Sequence, residues 1–500
     1  MTAAASGPPP GPAGHHRDLR DCERALVAAA ARYGREPGEE VVRACIAVLE
    51  SLDALGPASH RDADIDTAAD SLRVRTLRVL LCASELWWRD GDGEGTIGVE
   101  PWPTVPVHTL VAQAEAAAAR TADPALRAAA RHMAGQHLVV THSLDAALTA
   151  LTAAVELARA AGDACTELEA LTDLGHCTVG RDMKLGVGML ERAETLASRS
   201  PLAFAHPEQA ELLPMTLARL TGHIGVAAFD RGAFDAAEGR LRESLRRLSP
   251  RNTPGPYAKM ANFLGQLLTA AGRFEEAESL LTEAVGRLAP RATTSTHQGY
   301  NLGLLGKLYL EWDRPEQAAP PLLAGWDQLR ATPHVSLLPL LRNYLGELLM
   351  HPAYALRDVT RACELFAETV EECRRTGFQR SEIAALMLGA RGASRLGDPR
   401  SALGLSGRAV ERLAETGEMP ALRSEEVYLT RYEILLSAGG QEHAGPWLDR
   451  ARAVLLAKGR TIADPAARDD FYTRVPTSRS ILAASGQRGT PHDRAGGPPP

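Results

Sequence analysis

Aromatic side chains make up only 5% of the 500 residues, and lysine occurs four times, at Lys184, Lys259, Lys307 and Lys458. Arginine carries the remaining positive charge, an imbalance that reads as the codon bias of a GC-rich bacterium. Val, Ile and Tyr are sparse, and period-two alternation is almost absent, which argues against strands. The formal net charge is −7 and no long basic run occurs, so the footprint of a nucleic-acid binder is missing. No apolar run reaches the length of a membrane span. The start, "MTAAASGPPPGPAGHH", has no apolar centre of a signal peptide. The seven cysteines (Cys22, Cys45, Cys82, Cys165, Cys177, Cys363, Cys373) are odd in number, and none are spaced CxxC. That disfavours a disulfide framework or a zinc site and points to reduced thiols in the cytoplasm.

What the chain does have is Ala and Leu at helical spacing, so an all-α fold is expected. Residues 1–17 and 485–500, rich in Pro, Gly and His, are expected as disordered tails. Between them the sequence repeats. In "ANFLGQLLTAAGRFEEAESLLTEAVGRLAP", Leu264 and Gly265 belong to one helix and "GRF" to a turn. Ala277, Leu281 and Ala284 share one face of a second helix, which Pro290 stops. Small residues at 265 and 277 let two antiparallel helices approach, while Leu264 and Leu281 fill the seam. The pattern recurs at Gly225/Ala237/Leu241, at Gly306/Tyr309/Ala318/Leu322 and, with a four-residue insertion, at Gly346/Ala362/Phe366. Weaker copies centre on Ala147, Gly186, Ala402 and Ala444. Successive equivalent residues lie 39, 51, 40, 41, 44, 40 and 42 positions apart.

Leu-Gly, then Ala twelve residues on, then Ala seven further, resembles the tetratricopeptide repeat, whose usual period is about 34 residues. The longer period here and the closing "RTIADPAARDDFYTRVPTSRSILAAS" are similar to the MalT-like repeat regions of large bacterial ATPase and LuxR-type regulators. The resemblance implies a right-handed α-solenoid of about eight helix pairs over 131–460, with capping helices at 461–484. There Asp464 is an N-cap before Pro465, and Phe471, Val475, Ile481 and Leu482 are expected to cover the last repeat. Residues 18–130 read as helices with faded repeat marks, either degenerate repeats or a separate cap, with a Gly/Pro-rich linker near 89–106. The regulators' ATPase and DNA-binding domains have no counterpart in the sequence.

Candidate chemical motifs fail on spacing. "GLLGK", Gly303 to Lys307, lacks the first glycine and the Ser/Thr of a phosphate loop. "DGDGEGTIGVEP" from Asp90 imitates a calcium loop, but Pro101 stands where the bidentate Glu belongs, and Pro101, Pro103 and Pro106 forbid the exiting helix. A mobile acidic linker is the preferred reading, with weak calcium binding left open. His176-Cys177 is expected as a helix-face pair and His15-His16 as part of a floppy tail, since neither has partners at metal-ligand spacing. "RDADID" at 61–66 reads as an acidic helix start. No HExxH or GxSxG occurs. Nothing calls for a cofactor, a metal or catalysis.

The resemblance also implies a working surface. In such arrays the first helix of each pair lines a concave groove with the second, fifth and ninth positions of the repeat. Here these are Lys259, Asn262 and Gln266, then Tyr300, Gly303 and Lys307, then Leu340, Asn343 and Glu347. This polar strip is expected to face water when empty. Lys259 and Lys307 would meet an acidic segment, and Asn262 and Asn343 its backbone. The sequence therefore predicts a non-catalytic interaction or regulatory scaffold for a protein or peptide partner, with no nucleic acid and no membrane. Two alternatives stay open: a ligand-sensing module for a pathway-specific regulator, and an enzyme whose site no motif announces. Oligomeric state is left open.

Overall fold

Ala- and Leu-rich amphipathic segments bury their apolar stripes only by pairing, and the chain does so from end to end. The computed structural model describes residues 12–55, 62–84, 96–97, 105–199, 202–249, 251–288, 296–331, 334–417 and 423–488. Helix α1 (Pro12–Arg32) packs on α2 (Gly38–Asp53), and α3 (Ala63–Ala83) on α4 (Val107–Arg120). Eight further pairs follow: α5 (Pro124–Thr141) with α6 (Leu144–Ala161), α7 (Ala164–Val179) with α8 (Met183–Ala197), α9 (Glu208–Asp230) with α10 (Phe234–Arg247), and α11 (Pro254–Ala270) with α12 (Phe274–Leu288). Then come α13 (Thr296–Glu311) with α14 (Pro315–Ala331), α15 (Leu338–Met350) with α16 (Val359–Thr376), α17 (Gln379–Arg395) with α18 (Pro399–Thr416), and α19 (Ser424–Ser437) with α20 (Gln441–Gly459). Two short helices, α21 (Pro465–Thr473) and α22 (Pro476–Arg488), end the array. The only strands among the described residues are β1 (Thr96–Ile97) and β2 (Val105–Pro106), one antiparallel step. The rest of the loop 90–101 lies outside the described residues.

The seam between paired helices is glycine against leucine. A Cβ on Gly265 would lie 2.7 Å from Leu281 Cδ2, and one on Gly225 would lie 3.0 Å from Leu241 Cγ. Gly306 meets Leu322, and Gly346 meets Phe366 in the copy with the insertion. Gly135 against Leu151 and Gly175 against Leu190 extend the same contact to the weaker copies. The sequence repeats are thus tetratricopeptide-like helix pairs in one solenoid.

Caps set the helix starts where the sequence placed them. Asp464 accepts from the backbone of Ala466 and Ala467, and Asp358, Asp398 and Ser143 cap α16, α18 and α6 in the same way. Asp64 and Asp66 sit in the first turn of α3, which makes 61–66 an acidic helix start.

The described helices α1 to α4 are continuous with the solenoid. Inner helices touch in series, α1 to α3 and α3 to α5, as α11, α13, α15, α17 and α19 do further along. Arg75 of α3 grips Glu208 of α9 through two bonds of 3.0 and 2.7 Å, both side chains buried. Arg78 reaches Glu169 of α7 at 2.6 Å. Two expectations about the ends are corrected. Helix α1 begins at Pro12, so His15 and His16 are helical, and α22 runs to Arg488. One helix, Glu208–Asp230, is long and apolar enough to cross a membrane, against the expectation that none is; 72% of its apolar window is buried inside the solenoid, as in a core helix.

The coil is wound tightly enough that successive turns touch. Asn252 donates to the carbonyls of Gly34 and Arg35, Val335 N–H donates to Val140 O, and Arg380 pairs with Asp230 at 2.8 Å. The C-terminal cap does two jobs. Helix α22 packs on α19 and α20, with Val475 and Ile481 buried and Leu482 partly so. Phe471 of α21 instead packs on Phe234, ring centres 5.5 Å apart, while Thr461 donates to Gly232 O and Arg474 pairs with Glu275. The end of the array thereby docks on its middle.

Candidate functional site

Winding turns the concave groove into a channel. A cavity of about 530 Å³ is lined by inner helices from α3 to α19. All seven sequence-predicted groove residues, Lys259, Asn262, Gln266, Tyr300, Lys307, Asn343 and Glu347, line it. The reason is register. Counted from the seam glycines of α11, α13 and α15, the positions six before, three before and one after turn toward the axis, Gly303 excepted. In neighbouring repeats the same positions, counted from Gly135, Gly175, Gly225 and Ala390, include Gln136, His176, Arg219, Val226, Ala384 and Met387, which also line the cavity, whereas His132, Glu169, Thr172 and Arg391 do not. Those that line it were legible in the sequence; Gln136, His176, Ala384 and Met387 belong to weak copies, while Arg219 and Val226 belong to the clear copy at Gly225 and were passed over. His176 and Cys177, read as a plain helix-face pair, both face the channel. Arg380 and Arg423 arrive from elsewhere on the coil, and no local pattern announces them.

The expected water-facing strip is mostly buried. Asn262, Tyr300 and Asn343 are 1%, 6% and 2% exposed. Tyr300 shares hydrogen bonds with Tyr344 and Gln266, and Asn343 Nδ2 donates to Ser381 O at 3.1 Å, tying α15 to α17. Gly303 is no groove position; its Cα faces Leu341, so it is a second packing glycine.

The two lysines differ. Lys307 Nζ lies 2.8 Å from Glu311 and 2.6 Å from Glu347, and Glu311 also pairs with Arg423 at 2.8 Å. Burial opposes these charges, but they outweigh it: Glu311 is held at about 2 by Arg423 and Lys307, and Lys307 is raised by Glu311 and Glu347. Glu347 is raised, because burial and the nearby Glu311 and Glu426 exceed what Lys307 returns. Lys307 is therefore a structural cation and is not free to meet a ligand, as had been expected.

Lys259 is half-buried and has no carboxylate at ion-pair distance among the described residues. Burial holds its amine below the usual lysine range, with Asp173 only partly compensating. Asp173 is already shared by His132 and Gln136, each at 2.8 Å, and by Arg219. Beside Lys259, the rings of His176 and His223 stack at 4.0 Å, with Phe263 edge-on to His176. Both imidazoles are held well below their usual pKa by burial and by the surrounding cations. Both ring nitrogens of His223, and Oδ1 of Asn262 and of Asn343, are buried without a hydrogen-bond partner. Among the described residues, no group of three His, Cys, Asp or Glu is placed to hold a metal ion.

No protein-family model matches the chain, and no curated protein matches it in sequence. Solved structures do match. A Rap protein crystallised in complex with competence and sporulation factor superposes with a TM-score of 0.56 at 13% identity, over 81% of this chain and 100% of that one. The apo form of the quorum sensor NprR from B. thuringiensis gives 0.49 at 12% identity over 80% and 99%. A signal-transduction ATPase with a tetratricopeptide repeat sensor from Pyrococcus horikoshii gives 0.36 at 12% identity over 68% and 50%. At these identities the first likeness concerns the fold alone: a helical-repeat solenoid of the same extent.

Proposed function

We propose that the protein is a regulatory scaffold that holds a short peptide segment in the channel of its coil. The observation that carries this is the set of unsatisfied polar groups along a partly apolar channel. Asn262 Oδ1 and Asn343 Oδ1 lack partners, and a buried orphan acceptor typically costs about 1–3 kcal/mol. A peptide backbone supplies the missing donors. Inner helices lie about 10 Å apart, so α11 to α15 spans about 20 Å, the reach of about six extended residues at about 3.4 Å each. A cavity of about 530 Å³ falls in the usual range for an enclosed ligand. The similar Rap protein crystallised in complex with competence and sporulation factor supports the reading, since a helical solenoid of like fold takes a factor as its ligand. The cross-turn contacts favour a sensor over a passive scaffold, because an occupant touches several turns and biases how tightly the coil closes. Buried free thiols at Cys45, Cys165 and Cys373 fit a reducing, cytoplasmic setting.

The test is selection of random linear hexapeptides against the protein, followed by fluorescence polarisation. Ala384→Phe, which pushes a ring into the channel from α17, should weaken selected peptides by at least about tenfold with the fold intact by circular dichroism. Failure to enrich any peptide, or equal binding by the variant, overturns the reading.

A further inference from the structure

The charges at the Lys259 end of the channel do not balance. Three cations face it: Arg219 on α9, Lys259 on α11 and Arg380 on α17. Two carboxylates answer them, Asp173 on α7 and Asp230 on α9. Asp173 is taken by Arg219, His132 and Gln136, and Asp230 by Arg380. One positive charge is left over, on Lys259, beside the stacked pair of His176 and His223. We propose that this end of the channel is a carboxylate-binding subsite, in which Lys259 pairs with the anion and the His176–His223 pair takes up a proton as it binds. The proposal rests on the channel being the ligand site and names the part of the ligand that this end receives.

The surplus of one charge selects the ligand class. A carboxylate supplies the negative charge that Lys259 lacks among the described residues, and a proton taken up by the imidazole pair adds a second donor for its oxygens. The His223 nitrogens have no partner inside the protein, so a proton gained there can be hydrogen-bonded only by something that enters.

The proton linkage follows from the groups around the pair. From α7 these are Asp173 and Cys177, from α9 Arg219, from α11 Lys259 and from α17 Arg380. Burial raises the Cys177 thiol to about 12, so it stays neutral. Burial and the three cations suppress the imidazolium, and Asp173 opposes them. A bound carboxylate cancels part of the cationic field, so the imidazole pKa rises on binding. A group whose pKa is higher in the bound state strengthens binding at low pH. That gain disappears as pH rises through the bound-state value.

The probe is N-acetylglycine, with N-acetylglycinamide as its neutral twin, titrated calorimetrically into the intact chain in buffers of different ionisation enthalpy. The acid should bind and the amide should not. Affinity should fall between about pH 5.5 and pH 8, by at most about tenfold per unit for one linked proton. Lys259→Met should lose more than about tenfold. His176→Phe with His223→Phe keeps the stacked rings and should bind the acid with no pH dependence. Equal binding of the amide, or full binding by Lys259→Met, overturns the subsite. Persistence of the pH dependence in the double Phe variant overturns the histidine linkage. Two alanine hexapeptides separate the sources of carboxylate, one with a free C-terminus and one C-amidated with a single Glu. Binding of N-acetylglycine without any selected hexapeptide would sink the peptide reading alone. Selected peptides indifferent to Lys259→Met and to pH would sink the subsite alone.

Discussion

Lys259 and Lys307 face one channel from neighbouring inner helices, yet they are opposites. Lys307 is locked between Glu311 and Glu347, and Lys259 has no carboxylate at ion-pair distance among the described residues. The repeat register brought both to the axis, and the coil then decided their roles. Arg423 and Glu426 come from α19 to complete the charge network around Lys307. Around Lys259 the facing cation is Arg219, and Arg380 comes in beside the neighbouring His176. A strip of like residues on a repeat protein is therefore no guide to which of them is available. Availability depends on what the next turn of the coil brings.

The largest effect is expected from breaking the frame that holds both lysines. Gly306 stands against Leu322, and a Cβ there would lie 3.0 Å from the backbone oxygen of Ala318, which cannot move aside as a side chain can. Gly306→Leu should cost about 3 kcal/mol or more through overpacking, seen as loss of the cooperative transition in urea. A variant that unfolds like the wild type would mean that the seam is not the frame.

Next comes Lys307→Met. Removing one partner of a buried charge network strands the others, and the cost is typically about 3–5 kcal/mol. Lys307 retains some access to the channel, so about 3 kcal/mol is expected in urea at pH 7. The same network sets a pH signature. Glu311 is held at about 2, below its ordinary value of 4.5. A depressed carboxylate contributes stability that is present above the unfolded value and lost as pH falls toward the folded one. The wild type should lose up to about 3 kcal/mol from this group between pH 4.5 and 2, and Lys307→Met less. Identical acid profiles would remove Lys307 from the network.

The seam was readable because packing glycines and alanines recur at fixed spacing, and Gly225, Gly265, Gly306 and Gly346 each stand against a Leu or Phe of the paired helix. The end cap was readable from Asp464-Pro465 and from the apolar spacing of Val475, Ile481 and Leu482, whereas Phe471, expected on the last repeat, packs on Phe234 instead. All seven groove residues lie on the channel because register is local information. Their burial was not readable. Asn262 and Tyr300 were expected to meet water because a single repeat leaves them open, and only the closing of the coil covers them. The cross-turn contacts, Phe471 on Phe234 and Arg380 on Asp230, join residues that share no periodicity. They depend on a superhelical pitch that accumulates small rotations over many repeats, and no short window of sequence encodes that sum.

The smallest effect is expected where the comparison is sharpest, at Lys259→Met. A half-buried amine without an ionic partner pays for desolvation and recovers little, so an unbranched apolar replacement of similar length relieves the cost and keeps the packing. Stability at pH 7 should stay level or rise by up to about 1 kcal/mol, where Lys307→Met falls. The pH dependence has a definite sign. The amine titrates below its ordinary 10.5 in the folded protein, so the unfolded chain binds more protons between the two values. The wild type then gains stability as pH rises through that window. The advantage of the Met variant should be greatest near neutrality and vanish toward pH 10.5. Urea unfolding of both proteins at pH 7 and pH 10 measures it. A loss of more than about 1 kcal/mol at pH 7 would show that Lys259 has an ionic partner after all, and the contrast between the two lysines would collapse.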